Sequence, residues 1–245
     1  MSSTSTSAPS IALLGRELTA RDTGHPFTDE LTRWLASSPR FRAFAVTHRP
    51  KIHKKVRAAV DDEALRDVRA ELLVAHRLLA DKRFTVAYEA YGSGIGGPDL
   101  TVTDRTTSVF NVEVTRLRKL PDVTALGATL LAKLRQLPPS VPNVVLVASG
   151  HSASAVDISA AVRDLRARAD AKDDAFFDRR GLKSARGFYE RFLRLSAVIT
   201  WRDEADGDHE RAALWVNPSA RIALPERAGR ACLACLRTAA PESRA

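Results

Sequence analysis

The sequence is organised around two stretches, residues 97–102 (GPDLTV) and residues 109–116 (VFNVEVTR). Both are rich in β-branched and aromatic residues, and a polar run at 104–107 separates them, so each is predicted to be a β-strand. A short polar connection of this kind is typical of a hairpin. Alternation along the second strand defines two faces, with Asn111, Glu113 and Thr115 on one and Phe110, Val112 and Val114 on the other.

Two acidic residues belong to these strands. Asp99 begins the first strand, and Glu113 lies within the second. A carboxylate among β-branched residues is costly to bury unless a cation compensates it. Two such groups on adjacent strands can share one hard cation, which prefers carboxylate oxygens and substrate phosphates as ligands. We therefore expect both acids to converge on a single divalent ion.

The pair Pro98-Asp99, followed by residues 113–115 (EVT), resembles the motif of the PD-(D/E)XK nuclease superfamily. In that family a helix carries a Glu, a β-hairpin carries Pro-Asp, and the next strand carries (Asp/Glu)-X-Lys. The resemblance covers residues 61–149. It implies an α/β, restriction-endonuclease-like fold, in which helices flank a mixed central sheet. The family lysine falls at Thr115, a departure that leaves catalysis open.

The resemblance also implies a reaction, the metal-assisted hydrolysis of nucleic-acid phosphodiester bonds with Mg²⁺ or Mn²⁺ as the cofactor. Asp99, Glu113 and the carbonyl of Val114 would bind one ion. Such an ion lowers the pKa of a bound water and stabilises the charge that develops on the phosphate. The helix predicted over 61–80 places Glu71 at its core margin, where its side chain could also reach solvent. The family pattern has an acid on the helix before the hairpin, and the resemblance implies that Glu71 is this acid and supports a water or a second ion.

Lys133 is the candidate to replace the missing lysine, since some members of the superfamily carry that residue on the following helix. This helix is predicted over 121–137, and its apolar stripe comprises Leu126, Leu130, Leu134 and Leu137. Lys133 falls inside the stripe. It would orient or deprotonate the attacking water, and deprotonation requires its pKa to be lowered by burial. The alternative is a lysine whose stem packs while its head reaches solvent.

Composition indicates a basic protein with a polyanionic partner. With 245 residues the chain suits one elaborated α/β domain, and its net charge of +9 favours nucleic acid. The resemblance to nucleases favours DNA over RNA as that partner. An Arg-rich composition is the alternative explanation of that charge. The sequence contains no run of eighteen apolar residues, so no membrane span is predicted. The only cysteines, at 232 and 235, are expected to pack in a helix rather than to bind zinc, and the protein is expected to be cytoplasmic.

The basic residues concentrate in one segment. Residues 31–60 contain no Asp or Glu, and phenylalanines are interleaved with the cations, which is typical of a structured segment. The predicted organisation is a disordered or variable tail over 1–26, a basic helical segment over 27–60 and the nuclease domain over 61–245. The residues predicted to contact nucleic-acid phosphates are Arg49, Lys51, Lys54, Lys55, Arg116 and Arg118. A solvated basic face is an equal alternative for the 27–60 segment.

The remaining elements follow from periodicity and from Gly and Pro positions. Strands are predicted over 84–91, 99–103, 108–116, 142–148, 195–202 and 210–216, the last two as an antiparallel pair. Further helices are predicted over 29–36, capped by Thr28, and over 156–168, 188–193 and 225–236. Residues 92–97 match GxGxxG, but Pro98 and a strand follow instead of a helix, which argues against a dinucleotide site.

Three questions stay open at this stage. A nuclease-fold protein that binds nucleic acid or another protein without cutting is the main alternative to an enzyme, and the threonine at position 115 is its support. A toxin or defence-system component is a third reading. A homodimer would suit double-strand cleavage, although no heptad pattern or self-pairing strand indicates one.

Overall fold

The computed structural model of the protein describes residues 10–21, 24–91, 97–105, 108–118, 122–149, 155–202 and 212–237. These residues form ten helices and six strands. The chain divides into two compact units, of which the first ends at Arg69 and the second begins at Ala70. The boundary therefore lies within a helix, beyond the predicted junction of residues 60 and 61.

The first unit is helical. Its elements are α1 Ile11–Thr19, α2 Pro26–Ser37, α3 Pro39–Thr47, α4 Arg49–Ala58 and the beginning of α5, which spans Asp62–Ala80. A proline occupies the first turn of α2, α3 and α4, where the N–H that it lacks would have no intrahelical partner. The apolar side chains of Leu18, Leu35 and Phe41 are completely buried in this unit. The helical character predicted for 27–60 is confirmed.

Helix α1 contradicts the prediction of a disordered or variable tail over residues 1–26. The Ser10 side chain caps it, and Leu14 and Leu18 anchor it in the core. Residues 1–9 lie outside the described ranges. The predicted cap of α2 is also wrong, because His25 caps that helix, whereas Thr28 is buried and hydrogen-bonds to Thr19 at 2.9 Å.

The second unit contains a six-stranded mixed sheet. Its strands are β1 Phe84–Tyr88, β2 Leu100–Asp104, β3 Ser108–Leu117, β4 Asn143–Ser149, β5 Leu195–Arg202 and β6 Ala212–Val216, and they lie side by side in chain order. The pairs β1–β2, β2–β3 and β5–β6 are antiparallel, and β3–β4 and β4–β5 are parallel. The prediction of an α/β protein with a mixed central sheet is confirmed.

Helices connect the parallel strands and cover them. The helices of this unit after α5 are α6 Val123–Leu134, α7 Ala155–Asp170, α8 Asp174–Asp178, α9 Ala185–Phe192 and α10 Glu226–Arg237. Apolar side chains of α6, α7 and α9 form one core with Val145 and Val147 of β4. All seven residues of β4 are buried, as its continuous apolar run predicts. Strand β1 ends earlier than predicted, because Glu89 has a left-handed φ of 45°.

The polar segment 172–187 of the C-terminal half contains α8, in which the side chain of Phe177 is completely buried. Cys232 and Cys235 are free thiols on α10. Burial raises the pKa of both, that of Cys235 to about 11, which fits the packing role expected for them.

Buried amides connect the beginnings of the parallel strands. The Asn143 side-chain nitrogen lies 2.8, 3.0 and 2.9 Å from the carbonyl oxygens of Pro138, Val141 and Arg194. The Asn111 side-chain nitrogen donates to Asn143 at 3.0 Å and to the Tyr91 hydroxyl at 3.1 Å. These contacts satisfy polar groups that would otherwise be costly to bury, and they link β3 to β4 and to the residues that follow β1.

Some sequence features lie outside the described residues, namely the glycine run at 92–96, His151 and the turn at 203–208. Within the described ranges, no helix combines the length and the apolar character that crossing a bilayer requires.

His76 makes the stability of the protein dependent on pH. This residue of α5 is 6% exposed, and burial, with a smaller contribution from the charge of Arg77, lowers its pKa from 6.5 to about 4. In the unfolded chain His76 binds a proton below pH 6.5, whereas in the folded protein it does so only near pH 4. Its contribution to the unfolding free energy is therefore complete above pH 6.5 and is lost as the pH falls towards 4.

We therefore expect the unfolding free energy of the wild type to fall by roughly 2 to 3 kcal/mol more than that of His76→Gln between about pH 7.5 and 4.5. Urea denaturation of both proteins at each pH measures the difference. Parallel pH profiles for the two proteins would contradict the assignment. At the higher pH, the difference in unfolding free energy between the wild type and His76→Gln reports any loss of packing in the variant.

Candidate active site

The site lies where β2 and β3 separate. Their last register pair is Leu100 with Val112, and from there β3 continues to Leu117 beside β4. The Asn111 N–H donates to the Pro142 carbonyl ahead of β4, so the backbone groups of alternate residues in β3 point towards the β2 side. No β2 residue is in register with Val114, so β2 provides no backbone partner for the N–H and the carbonyl of Val114. An open stretch of strand backbone results.

Asp99 occupies this opening. Its carboxylate accepts a hydrogen bond of 2.9 Å from the Val114 N–H, and so replaces the missing ladder bond with a side-chain bond. The Val114 carbonyl points to the same side of the strand as its N–H. The predicted metal ligands Asp99 and Val114 are therefore neighbours.

Glu113 lies next to the strand residue that Asp99 contacts. The register between β2 and β3 ends at Leu100–Val112, one step before the two acids, and the Asp99 carboxylate binds the N–H of Val114, the neighbour of Glu113. Glu113 is only 2% exposed and pairs in register with Val145 of β4, whose side chain belongs to the core under α6. That the two acids converge on a single ion stays a prediction.

Lys133 reaches Glu113 from α6. Its ammonium nitrogen is 2.6 Å from Glu113 Oε1, and the lysine side chain is 22% exposed. Its neighbours in the helix, Leu130 and Leu134, are buried, as the apolar stripe predicts. The ammonium group is thus directed at a buried carboxylate, and the alternative in which it extends into solvent is wrong.

The electrostatics of Lys133 connect all four residues predicted to be catalytic. Burial lowers its pKa, but the charge of Glu113 and the hydrogen bond to it, followed by the charges of Asp99 and Glu71, outweigh burial and raise the pKa above its ordinary value. Lys133 is therefore protonated at neutral pH in this arrangement. This state suits a group that orients water or neutralises phosphate, and it does not meet the condition for the predicted proton acceptor.

Glu71 is held by a residue that the sequence analysis missed. The Tyr88 hydroxyl donates a 2.6 Å hydrogen bond to Glu71 Oε2, and both side chains are buried. Burial, then the charge of Glu71 and the hydrogen bond to it, raise the pKa of Tyr88. Tyr88 pairs with Leu100, so it projects from the sheet face opposite that of Glu113. A buried tyrosine requires a hydrogen-bond partner, which is a readable signal, but the partner itself is not readable from sequence.

The donor atoms suit a hard divalent cation. Two carboxylates and a backbone carbonyl are all oxygen ligands, and Mg²⁺ is commonly held by one or two carboxylates together with substrate phosphates. The Lys133 ammonium already provides a cation against Glu113. In the described part of the chain, no group of three or more His, Cys, Asp or Glu side chains is arranged to hold a metal ion. The residues therefore fit a two-carboxylate site and not an all-protein cage.

The residues predicted to bind nucleic acid have different surroundings. Arg49 and Lys54 are exposed and line a groove of about 530 Å³ along α4, together with His53 and Arg57, which the prediction omitted. Lys51 and Lys55 are half-buried residues outside this lining.

In the second unit, Arg116 is half-buried and pairs in register with Ala148, on the face opposite Glu113, as alternation predicts. Arg118 follows β3 directly and is exposed. Both therefore lie beyond the point at which β2 separates from β3. Contact of either residue with nucleic acid stays a prediction.

Comparison with known proteins adds no assignment: no protein-family model matches the chain, and neither the curated proteins nor the solved structures contain a match. The functional interpretation of the site depends on its own residues and geometry.

The Lys133–Glu113 pair is expected to be important for stability. Lys133→Met would leave the Glu113 carboxylate buried without its cation, at a cost of about 3 kcal/mol in unfolding free energy. Lys133→Met/Glu113→Gln, which also removes the negative charge, should recover most of that loss. Chemical denaturation of the four proteins of this double-mutant cycle, including Glu113→Gln, measures the coupling.

The matched control is Arg186→Met, which breaks an ion pair to Glu190 on the surface of α9, where the two side chains are 88% and 57% exposed. Its stability should change little, because exposed pairs contribute little. If Lys133→Met were as mild as this control, the pair would have no structural importance.

Proposed function

We propose that the protein is a metal-dependent nuclease of the PD-(D/E)XK type, with a restriction-endonuclease-like fold, that hydrolyses phosphodiester bonds of nucleic acid, DNA ahead of RNA. The observation that carries the proposal is the buried Glu113 carboxylate, which contacts the ammonium of Lys133 beside the Val114 N–H that Asp99 binds. Each of these residues comes from a different part of the chain. Their convergence is not required by the core alone, since an apolar residue at position 113 would pack without a cation.

The order of elements supports the proposal. Helix α5 carries Glu71, and β3 carries Glu113. Pro98-Asp99 lies between them in the chain, in the connection of the antiparallel strands β1 and β2 and directly before β2. In the family pattern a lysine follows the second acid by two positions, and this chain has Thr115 there. Lys133 on the next helix supplies a cation to Glu113 in its place. This order and these residues agree with the family pattern, including the variant in which the lysine has moved to the helix.

The proposed roles follow from the contacts. Asp99, Glu113 and the Val114 carbonyl would hold Mg²⁺ or Mn²⁺, and a bound ion would supply Lewis-acid stabilisation of the phosphate and an activated water. Asp99 is oriented for this by the Val114 N–H. Lys133, protonated beside Glu113, orients the nucleophile or neutralises charge on the phosphate. Tyr88 fixes the orientation of Glu71, whose negative charge acts on Lys133.

A second candidate is a protein of the same fold that binds nucleic acid without cutting it. Two observations favour it, namely Thr115 at the usual lysine position and the occupation of a Glu113 oxygen by Lys133. In this case the ion pair would be a structural substitute for the metal. Cleavage and metal binding therefore have to be tested separately.

For cleavage, we expect Mg²⁺- or Mn²⁺-dependent nicking of plasmid DNA that EDTA abolishes. Asp99→Asn, Glu113→Gln and Lys133→Met should each lower the rate by at least about 100-fold, because each removes a charged group at the reacting centre. Glu190→Gln, an exposed acid of α9, is the control and should keep the wild-type rate. Single-stranded DNA and RNA in parallel reactions report the substrate class. A wild type as inert as the variants would favour the binding protein, and equal activity in Asp99→Asn would reject this site.

For metal binding, Lys133→Met provides a readout that does not depend on activity. Without its internal cation, Glu113 should gain more from a divalent ion, so we expect Mn²⁺ to raise the melting temperature of Lys133→Met more than that of the wild type. Adding Asp99→Asn to Lys133→Met should remove this gain, because it removes the second carboxylate. Equal shifts in all three proteins would indicate Mn²⁺ binding elsewhere on the surface.

A further inference from the structure

Residues of helix α4 line a surface groove in the first unit, and three of the six lining residues are Arg or Lys. The lining residues are Arg49, Pro50, His53, Lys54, Arg57 and Ala58, around a volume of about 530 Å³. The apolar residues of the helix, Ile52 and Val56, are buried on its other side. The groove is thus a feature of the polar face of α4, where an external ligand can approach.

Little within the protein neutralises this charge. Arg49 forms an ion pair of 3.1 Å with Glu17 of α1. In the described ranges, no hydrogen bond or ion pair engages the side chains of His53, Lys54 or Arg57. Helix α4 itself contains no acidic residue. A concave surface with one sign of charge concentrates counter-ions, so the groove is suited to attract an anion.

The arrangement of the cations indicates an extended anion. Arg49, His53 and Arg57 recur every four residues and form one row along the helix, which sets the two arginines about 12 Å apart along the axis. Lys54 and Arg57 are like charges three residues apart, which disfavours a helix, and Arg49 at the helix N-terminus does the same. A chain of anionic groups lying along the row would relieve both effects, whereas a single small anion could contact only part of it.

We infer that the α4 groove binds the phosphodiester backbone of a nucleic acid, an identification of the polyanion that rests on the proposed function. Arginine and lysine are the usual partners of phosphate oxygens. Among the described residues, no aromatic side chain lines the groove as a platform on which a base could stack. The groove therefore contacts phosphates without reading sequence, and it holds the substrate by a surface other than the catalytic residues.

An anionic membrane fits the groove less well. A helix that binds a bilayer surface inserts an apolar face next to its cations. In α4 the residues that could form that face, Ile52 and Val56, are 1% and 0% exposed, so they are committed to the core of the first unit. The polar face offers charge without an apolar anchor, which is the pattern of a phosphate-backbone contact.

The inference is tested by measuring the affinity of the full chain for labelled duplex DNA, by fluorescence anisotropy at several salt concentrations. EDTA is present throughout to prevent cleavage. For Lys54→Gln/Arg57→Gln we expect the slope of log affinity against log salt to fall by about 1.8, and affinity in about 0.1 M salt to fall at least about 10-fold. Both side chains are exposed, so the fold should be retained. The wild type should bind duplexes of unrelated sequence with similar affinity.

The matched control is Arg66→Gln, which removes one exposed positive charge from α5 in the same unit and outside the groove lining. It should bind like the wild type, whereas Lys54→Gln alone should lower the slope by about 0.9. Equal effects of Arg66→Gln and Lys54→Gln would show attraction by net charge only, and would overturn the inference. So would a wild type that binds no nucleic acid, or one that binds vesicles containing phosphatidylserine in preference to DNA.

The groove and the catalytic proposal can fail independently. Glu113→Gln should retain full DNA affinity, because its carboxylate belongs to the site on β3 and not to α4. A protein that cuts normally and whose DNA affinity is unchanged in Lys54→Gln/Arg57→Gln would overturn the groove alone. Binding that depends on the groove in a protein without cleavage would leave the groove in place and favour the non-cutting alternative.

Discussion

The second unit depends on compensating one negative charge in the interior of its sheet. Glu113 is 2% exposed on a strand whose neighbours are β-branched and aromatic, where an uncompensated carboxylate would be strongly destabilising. The chain compensates it with Lys133, which comes from the helix that covers the same face. Because a lysine stem has limited reach, the pair also restricts where α6 can lie on the sheet. A stabilising contact and a reactive group are thus the same two side chains.

The separation of β2 from β3 explains why a site forms here and not elsewhere on the sheet. Asp99 can serve the Val114 N–H only because β2 has already ended. The approach to Asp99 is constrained in turn by Gly97, where a Cβ would lie 2.7 Å from the Cβ of Tyr91. Tyr91 is connected to β3 through Asn111. Close backbone packing and a buried amide network therefore position the acid.

Sequence reasoning succeeds here where one periodic signal dominates. Alternation identifies the Glu113 face of β3, a continuous apolar run identifies β4, and Lys133 stands out as a cation within an apolar stripe. It fails where the deciding contact joins distant residues or where composition misleads. The Tyr88–Glu71 bond depends on register between separate elements, and α1 was missed because a Ser/Thr-rich stretch precedes it. His53 and Arg57 were missed because a groove is a property of packed helices, not of charge density.

The position of the lysine bears on how cutting and non-cutting members of such a fold can be related. Thr115 lies on the same face as Glu113, two residues along β3, so a lysine there and one on α6 would approach the same carboxylate from different directions. Under the proposed function, a lysine on the helix would have to leave Glu113 before the carboxylate could exchange an ammonium for a divalent ion. The free-energy difference between these two partners would then decide between a binding protein and an enzyme. Asp99 would shift that difference towards the ion, because a second carboxylate favours a divalent ion over a single positive charge.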